Sequence, residues 1–380
     1  MNILHIYKDY PPIVGGIENH LQLLAEGQAR RGHTVTALVT HPDAKRTTYT
    51  TEKGVRVVRA RRLATMASTP LSASLAVQRW RERPDIVHLH FPYPVGEMSQ
   101  WALGRGTPVV LAYHSDVVRQ ASILRFYKPL MMRALNATQA IIIGSPPMRQ
   151  SAYLAGYQDK LHLIPYGIAL SRFVERPPDS EMARVRYRYL GARAATTDSL
   201  PLLLFVGRLR YYKGLDTLIA ALPRIRARLV VAGSGPMRGA WQELAAQLRV
   251  SDRVAWLGDV PDADLAALYH LADVFVLPAS HPSEAFGLVQ VEAMAAGLPV
   301  ICTELGTGTT YVNRDGETGL VVPPREPSAL ADAVGRLLAD AGLRIGMGDA
   351  ARLRAREFDV ETMVDRTSGV YEEVLEGRRK

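Results

Sequence analysis

Short apolar runs rich in β-branched residues alternate with stretches of helical periodicity along nearly the whole chain, and no other feature restricts its folding as much. In the first half the runs fall at 2–7, 34–40, 55–60, 86–90, 108–113 and 140–143. Amphipathic stretches separate several of them, most clearly 17–31, where Ile17, Leu21, Leu24 and Ala25 share one face. The second half repeats the pattern, with runs at 202–206, 229–232, 274–277, 299–302 and 320–322 and helices expected over 215–222, 237–248 and 289–296. Strands separated by helices need crossover connections, and so a parallel sheet covered on both faces. At 380 residues the chain exceeds the roughly 100–200 of one domain. The expected class is α/β, two doubly wound domains in tandem with ligands at strand C-termini facing an interdomain cleft.

Residues 175–201 change character: Pro177 and Pro178 stand together, arginines are frequent, and periodicity is lost at first. This predicts an N-terminal domain over 1–178 and a connection over 179–200 carrying a short helix near 182–190. A second domain then spans 201–358. The amphipathic tail, 359–380, is expected to pack back toward the N-terminal domain.

The single cysteine, Cys302, excludes a disulfide framework and a cysteine-rich zinc site, and fits a reducing compartment. No apolar run reaches the ~18 residues of a membrane span. The opening MNILHIYKDYPP lacks a basic head and reads as a strand, not a signal peptide. A cytoplasmic location is expected.

Charge is asymmetric. Residues 1–175 hold 21 Lys+Arg against 11 Asp+Glu, whereas 176–380 hold 25 against 26. The basic excess predicts that the first half meets an anionic partner: nucleic acid, acidic lipid headgroups or a phosphorylated acceptor. Nucleic acid is disfavoured, since no such motif is present and aromatics are not interleaved with the cations. Arg30, Arg31, Arg79, Arg81, Arg83, Arg125, Lys128 and Arg133, near Trp80, Phe126 and Met131, instead suggest a peripheral contact with anionic membrane.

Gly15 and Gly16 follow the first strand and precede a helix with Glu18 near its start, a turn that lets backbone N–H groups approach a phosphate. Neither G-x-G-x-x-G nor a Walker A sequence occurs, which weakens dinucleotide redox chemistry and ATP hydrolysis. After the run at 202–206 comes Gly207-Arg208-Leu209-Arg210-Tyr211-Tyr212-Lys213-Gly214, where Arg208 and Lys213 suit a diphosphate. A second backbone-rich turn, Gly233-Ser234-Gly235-Pro236, follows the next strand. The most specific element is Ser283-Glu284-Ala285-Phe286-Gly287-Leu288-Val289-Gln290-Val291-Glu292. Here two carboxylates flank Phe286, Gly287 and Leu288 at a helix N-terminus that can hold an anion, and carboxylates of this kind accept hydrogen bonds from sugar or ribose hydroxyls.

Taken together, GGIE, GRLRYYKG, GSGP and EAFGLVQVE resemble a retaining glycosyltransferase of the GT-B fold, glycosyltransferase family 4, over essentially the full length. The resemblance implies two Rossmann-like domains facing a central cleft. It implies transfer of a hexose from a nucleotide-sugar, held by the second domain, to a glycan or lipid-linked acceptor held by the first. It implies no cofactor and no metal, with Arg208 and Lys213 neutralising the leaving diphosphate. Glu292 is then expected at the ribose, Glu284 at the donor sugar, and Gly16 at the diphosphate from the other domain. Gly235, Phe286, Gly287 and Leu288 complete the expected donor site.

His88 and His90 close a strand on one face as a possible metal pair, but two ligands make no zinc site, and a structural role is expected. Tyr113-His114-Ser115-Asp116 ends the next strand, and adjacent residues cannot converge as a triad. By the resemblance His114 is the histidine beside the transferred sugar, making His114 and Glu284 the catalytic pair. Glu304-Leu305-Gly306-Thr307-Gly308-Thr309-Thr310-Tyr311-Val312-Asn313 departs from the more common family pattern. With YHSD, it is similar to bacterial mannosyl- and rhamnosyltransferases of surface-polysaccharide assembly, including lipopolysaccharide, which favours GDP-mannose or GDP-rhamnose, with UDP-hexoses close behind. A nucleotide-sugar epimerase or a phosphorylase on the same fold is the alternative; a phosphorylase would carry a pyridoxal-phosphate lysine, and of seven lysines only Lys213 lies in a motif.

Overall fold

The computed structural model describes the chain apart from residues 14, 44–45, 67–68, 117–120, 197–199 and 379–380; of 121–126 and 192–196 the backbone alone is described. The described residues form two compact units, one of Met1–Gly167 with Val360–Lys380, the other of Ile168–Asp359.

In the first unit β1 (Asn2–Ile6), β2 (Thr34–Thr40), β3 (Thr48–Glu52) and β4 (Val55–Ala60) are followed by a separate hairpin of β5 (Ala64–Met66) and β6 (Thr69–Leu71). Then come β7 (Ile86–Phe91), β8 (Val109–Tyr113), β9 (Ala140–Ile143) and β10 (Leu161–Leu163). The sheet order is β10-β9-β8-β7-β1-β2-β4-β3, parallel except for the edge strand β3. Strand order reverses between β1 and β7, so the loops leaving them diverge and open a crevice at their C-terminal ends. The register sets His5 of β1 beside His88 of β7. Helix Gly16–Arg30 buries Leu21, Leu24 and Ala25 completely. It packs along the C-terminal helix Val360–Glu376, and Arg30 and Arg31 pair with Glu361 and Asp365 at its surface.

The second unit holds β11 (Leu202–Val206), β12 (Arg228–Ala232), β13 (Val254–Gly258), β14 (Val274–Leu277), β15 (Val300–Thr303) and β16 (Gly319–Val322). The order is β13-β12-β11-β14-β15-β16, all parallel, with its own reversal between β11 and β14. The inner strands of both sheets are buried and mainly apolar, as parallel strands covered on both faces must be, with His5, His88 and His90 the buried polar exceptions on β1 and β7.

The sequence boundary needs correction. The segment expected as a connection, 179–200, is largely helical over Asp179–Thr196, with a break at Gly191 (φ +75°), and belongs to the second unit. Arg184, Arg188 and Tyr189 all bind the buried carboxylate of Asp264, at 2.6, 3.2 and 2.8 Å, and Met182 and Val185 are buried. Pro177 and Pro178 thus precede a helix that packs. The chain leaves the first unit after Gly167 and returns at Val360. Ile168 N–H donates to Phe358 O (2.9 Å), tying the two ends of the second unit together.

Candidate functional site

Three loops at the C-terminal edge of the second sheet are stitched together by their backbones. Gly207 N–H donates to Ala232 O (3.0 Å) and Leu209 N–H to Ser234 O (2.8 Å), joining the loops after β11 and β12. Ser280 N–H donates to Tyr212 O (2.8 Å), joining the first of these to the loop after β14. Gly214 has φ +66°, and a Cβ there would lie 1.9 Å from Pro278 O, so glycine is what allows the approach. Arg208 is exposed on this edge, and Gly235 sits in the turn after β12.

The structure brings Lys213 and Glu284 into direct contact. The ammonium lies 2.5 Å from Glu284 Oε2, with the side chains 11% and 10% exposed. Gly287, at φ +77°, caps helix Leu288–Ala295, and Phe286 is buried just before it. The unusual turn at 304–313 supports this loop from below: Thr307 Oγ1 donates to Glu284 O (2.8 Å) and Gly308 N–H to Ala285 O (2.8 Å).

Within the helix, Glu292 accepts a 2.7 Å hydrogen bond from Tyr269 OH. Burial pushes its carboxyl up to about 7, against the opposing pull of the Tyr269 hydrogen bond and of Arg172. Two cations, a helix N-terminus and two carboxylates therefore share one sheet edge, an arrangement that can bind a diphosphate and flanking hydroxyls.

In the first unit Gly16 opens helix Gly16–Arg30; it is exposed, and a Cβ there would meet nothing within 4 Å. His114 lies at the end of β8, 3% exposed. Both ring nitrogens are engaged: Nε2 lies 3.0 Å from His90 Nδ1, and Nδ1 lies 3.0 Å from Tyr166 OH. Asp116 is bound by Tyr113 OH (2.6 Å) and Ser151 Oγ (2.8 Å).

Sequence reasoning missed His114's surroundings. His90 Nε2 lies 3.1 Å from His5 Nδ1, His5 Nε2 lies 2.7 Å from Gln28 Oε1, and His20 packs edge-on to His90 and His114. Burial depresses every one of these imidazoles, His5 to about 4, His20 to about 3 and the others well below the usual range. The available signal was the alternation of His5 and of His88 and His90 on strands that prove to be neighbours.

Ring nitrogens of His5, His88 and His90, and of His20, His90 and His114, approach within 4.8 Å. The His88 and His90 planes, however, are parallel to 5° with centres 4.5 Å apart, so their in-plane lone pairs run side by side and do not converge on one cation. His90 and His114 face each other edge to edge across a 3.0 Å N···N contact. The cluster fits hydrogen bonding better than a shared metal.

Two residues expected at a membrane face are internal. Arg79 is 1% exposed and bonds Gln100 Oε1 (2.5 Å) and Gly104 O (3.0 Å), while Met131 is fully buried on the inner face of its helix. The side chains of Arg125 and Phe126 lie outside the described residues. Trp80 and Trp101 are about half exposed, with the Arg105 and Arg133 guanidiniums 4.8 and 4.1 Å from their ring centres.

Residues 14–172 match the Glycosyltransferase Family 4 model and residues 193–354 the model for glycosyl transferases group 1. The chain is 33% identical to O-antigen chain mannosyltransferase C of Escherichia coli over the full length of both. It is 37% identical to D-rhamnosyltransferase WbpZ of Pseudomonas aeruginosa, over 94% of this chain and 92% of that one. Its fold matches sucrose-phosphate synthase from Thermosynechococcus elongatus with a TM-score of 0.78 at 25% identity, covering 99% of each. Two units, each built on a doubly wound parallel sheet, together with this match place the chain in the GT-B fold class. The chain belongs to this glycosyltransferase family.

Proposed function

We propose that the protein is a retaining, metal-independent hexosyltransferase that moves a mannose- or rhamnose-like sugar from a GDP-linked donor to a glycan or lipid-linked acceptor in surface-polysaccharide assembly. The observation that carries this reading is the buried contact of Lys213 with Glu284 beside Arg208 and a helix N-terminus, on loops locked together at one sheet edge. Arg208 and Lys213 take the charge of the diphosphate as it leaves, the task a divalent ion performs elsewhere. Glu292 accepts from the ribose hydroxyls and Glu284 from the hydroxyls of the sugar. Gly235, Phe286, Gly287 and Leu288 shape the pocket and supply backbone N–H groups, while Gly16 and His114 of the first unit serve the diphosphate and the transferred sugar. The sugar is supported by the names of the two relatives; the sequence resemblance favours a guanine base, with UDP-hexoses close behind.

No helix among the described residues is long and apolar enough to cross a membrane. The first unit's basic excess, with Trp80 and Trp101 exposed under arginines, supports a cytoplasmic enzyme resting on anionic lipid, where a lipid-linked acceptor is met. A screen of GDP-, UDP- and ADP-sugars for release of nucleoside diphosphate tests the reading: a GDP-hexose is expected to be the best donor, and epimerised sugar without diphosphate release would replace the transferase with an epimerase.

A further inference from the structure

The amide of Gln28 has two unlike ends, and the structure places them on different partners. Its nitrogen donates to Tyr371 OH (3.3 Å), which turns its oxygen toward His5 Nε2 at 2.7 Å. An amide oxygen only accepts, so His5 carries its proton on Nε2 and leaves Nδ1 as an acceptor. His90 Nε2, 3.1 Å away, must then be the donor of that contact, which leaves His90 Nδ1 to accept from His114 Nε2 at 3.0 Å. His114 Nδ1 in turn accepts from Tyr166 OH. Each neutral imidazole has one N–H, so the choice made at Gln28 propagates through the rings without a break. Tyr371, having accepted from Gln28, gives its own proton to His88 Nδ1.

Ring geometry agrees. The His90 and His114 planes are parallel to 6° with centres 5.3 Å apart, and the His5 and His90 planes are tilted by 34° with centres 5.4 Å apart. With nitrogen gaps of 3.0 and 3.1 Å, the bonded nitrogens lie nearly on the lines between ring centres, the orientation of an in-plane N–H···N bond. His5, Gln28, His90 and His114 are all buried, so water does not compete for these positions.

We infer that Gln28 is a positioning residue for His114: acting through His5 and His90, it fixes His114 as the Nε2–H tautomer. His114 then meets a ligand as a ring whose nitrogens are both engaged, neither as a base nor as a free donor. The consequence for transfer rests on the role proposed for His114 above; the tautomer itself does not.

Long-range proton–nitrogen NMR of the full chain, carrying nitrogen-15 histidine, reads the tautomer directly. At pH 7 His5, His90 and His114 are each expected in the Nε2–H form. Gln28→Met removes the acceptor that orients the chain, so His114 is expected to show both tautomers, with kcat lowered several-fold and the donor KM held. Tyr166→Phe, at the other end, is expected to leave the tautomer unchanged. Should Gln28→Met fail to fold, Tyr371→Phe frees the amide to turn over and is expected to give the same mixture. An Nδ1–H or charged His114 in the wild type, or an unmoved His114 signal in folded Gln28→Met, would overturn the inference. Displacement of these signals by one equivalent of Zn²⁺ would overturn it too, by marking a metal site. Full transfer by His114→Ala would remove only its proposed role and leave the NMR reading standing.

Discussion

Lys213 Nζ lies 2.5 Å from Glu284 Oε2, joining the loop after β11 to the loop after β14 with both side chains nearly buried. Each charge is compensated by the other. Lys213→Met therefore leaves a buried carboxylate alone and is expected to destabilise the second unit by about 3 kcal/mol. Adding Glu284→Gln removes the orphaned charge and is expected to restore most of that stability without restoring transfer. Urea unfolding beside turnover separates the two effects; recovery of both together would reduce the pair to a structural bridge.

Arg208→Ala and Glu292→Ala are expected to abolish transfer while the fold persists. Losing a charge-assisted contact in a closed site costs roughly 2–4 kcal/mol of transition-state stabilisation. Steady-state kinetics on variants with unchanged circular dichroism checks this, and near-wild-type turnover in either would remove that residue from the site.

Glu292 also gives a pH dependence. Its carboxyl is raised from 4.5 to about 7 by burial, so between those values the folded chain keeps a proton that the unfolded chain has lost. Stability contributed by this group is present below about 4.5 and is lost as pH rises to about 7. Glu292→Gln is expected to flatten that slope in unfolding measured across the window. Ribose hydroxyls donating to the carboxylate favour its charged form, so binding of a nucleoside diphosphate at pH 6.5 is expected to release a proton. Calorimetry in two buffers of different ionisation enthalpy reads the release, and the Gln variant is expected to show none.

His114→Ala is expected to lower kcat far more than it weakens binding of free nucleoside diphosphate, because its proposed partner is the sugar. Calorimetry of the diphosphate set beside turnover decides the matter; equal losses would mark a structural residue.

Membrane contact is expected through the face carrying Trp80, Trp101, Arg105 and Arg133, with the exposed Arg81, Arg83 and Lys128 nearby in sequence. Each cation near an anionic surface is worth about 1 kcal/mol. Flotation with anionic liposomes is expected to weaken with salt and to fall when Arg81, Arg83 and Arg133 are reversed to Glu. Equal recovery with neutral and anionic vesicles would favour a soluble acceptor.

The inner strands of both sheets were legible because strands buried under helices are mainly apolar, and Val, Ile and Leu mark them. Edge elements were not: β3 reads TYTTE and is mostly exposed, so neither periodicity nor burial announces it. The 179–200 segment misled because its arginines look like a solvated linker, whereas Arg184 and Arg188 converge on Asp264, some 80 residues later in the chain. The Lys213, Glu284 and Glu292 grouping was visible as spacing within motifs. The surroundings of His114 were not, since His5, Gln28, Tyr166 and Tyr371 come from separate elements that only sheet order and the returning C-terminal helix bring together.

The most direct test of the account is turnover of a GDP-hexose in excess EDTA, followed by proton NMR of the sugar as it is released. Metal-free cleavage on Arg208, Lys213, Glu284 and Glu292 predicts an unchanged rate in EDTA, loss of that rate in Lys213→Ala and Glu292→Ala, and a first-formed sugar with the donor's own anomeric configuration. A rate restored only by added divalent ion, or a first-formed sugar of inverted configuration, would contradict it.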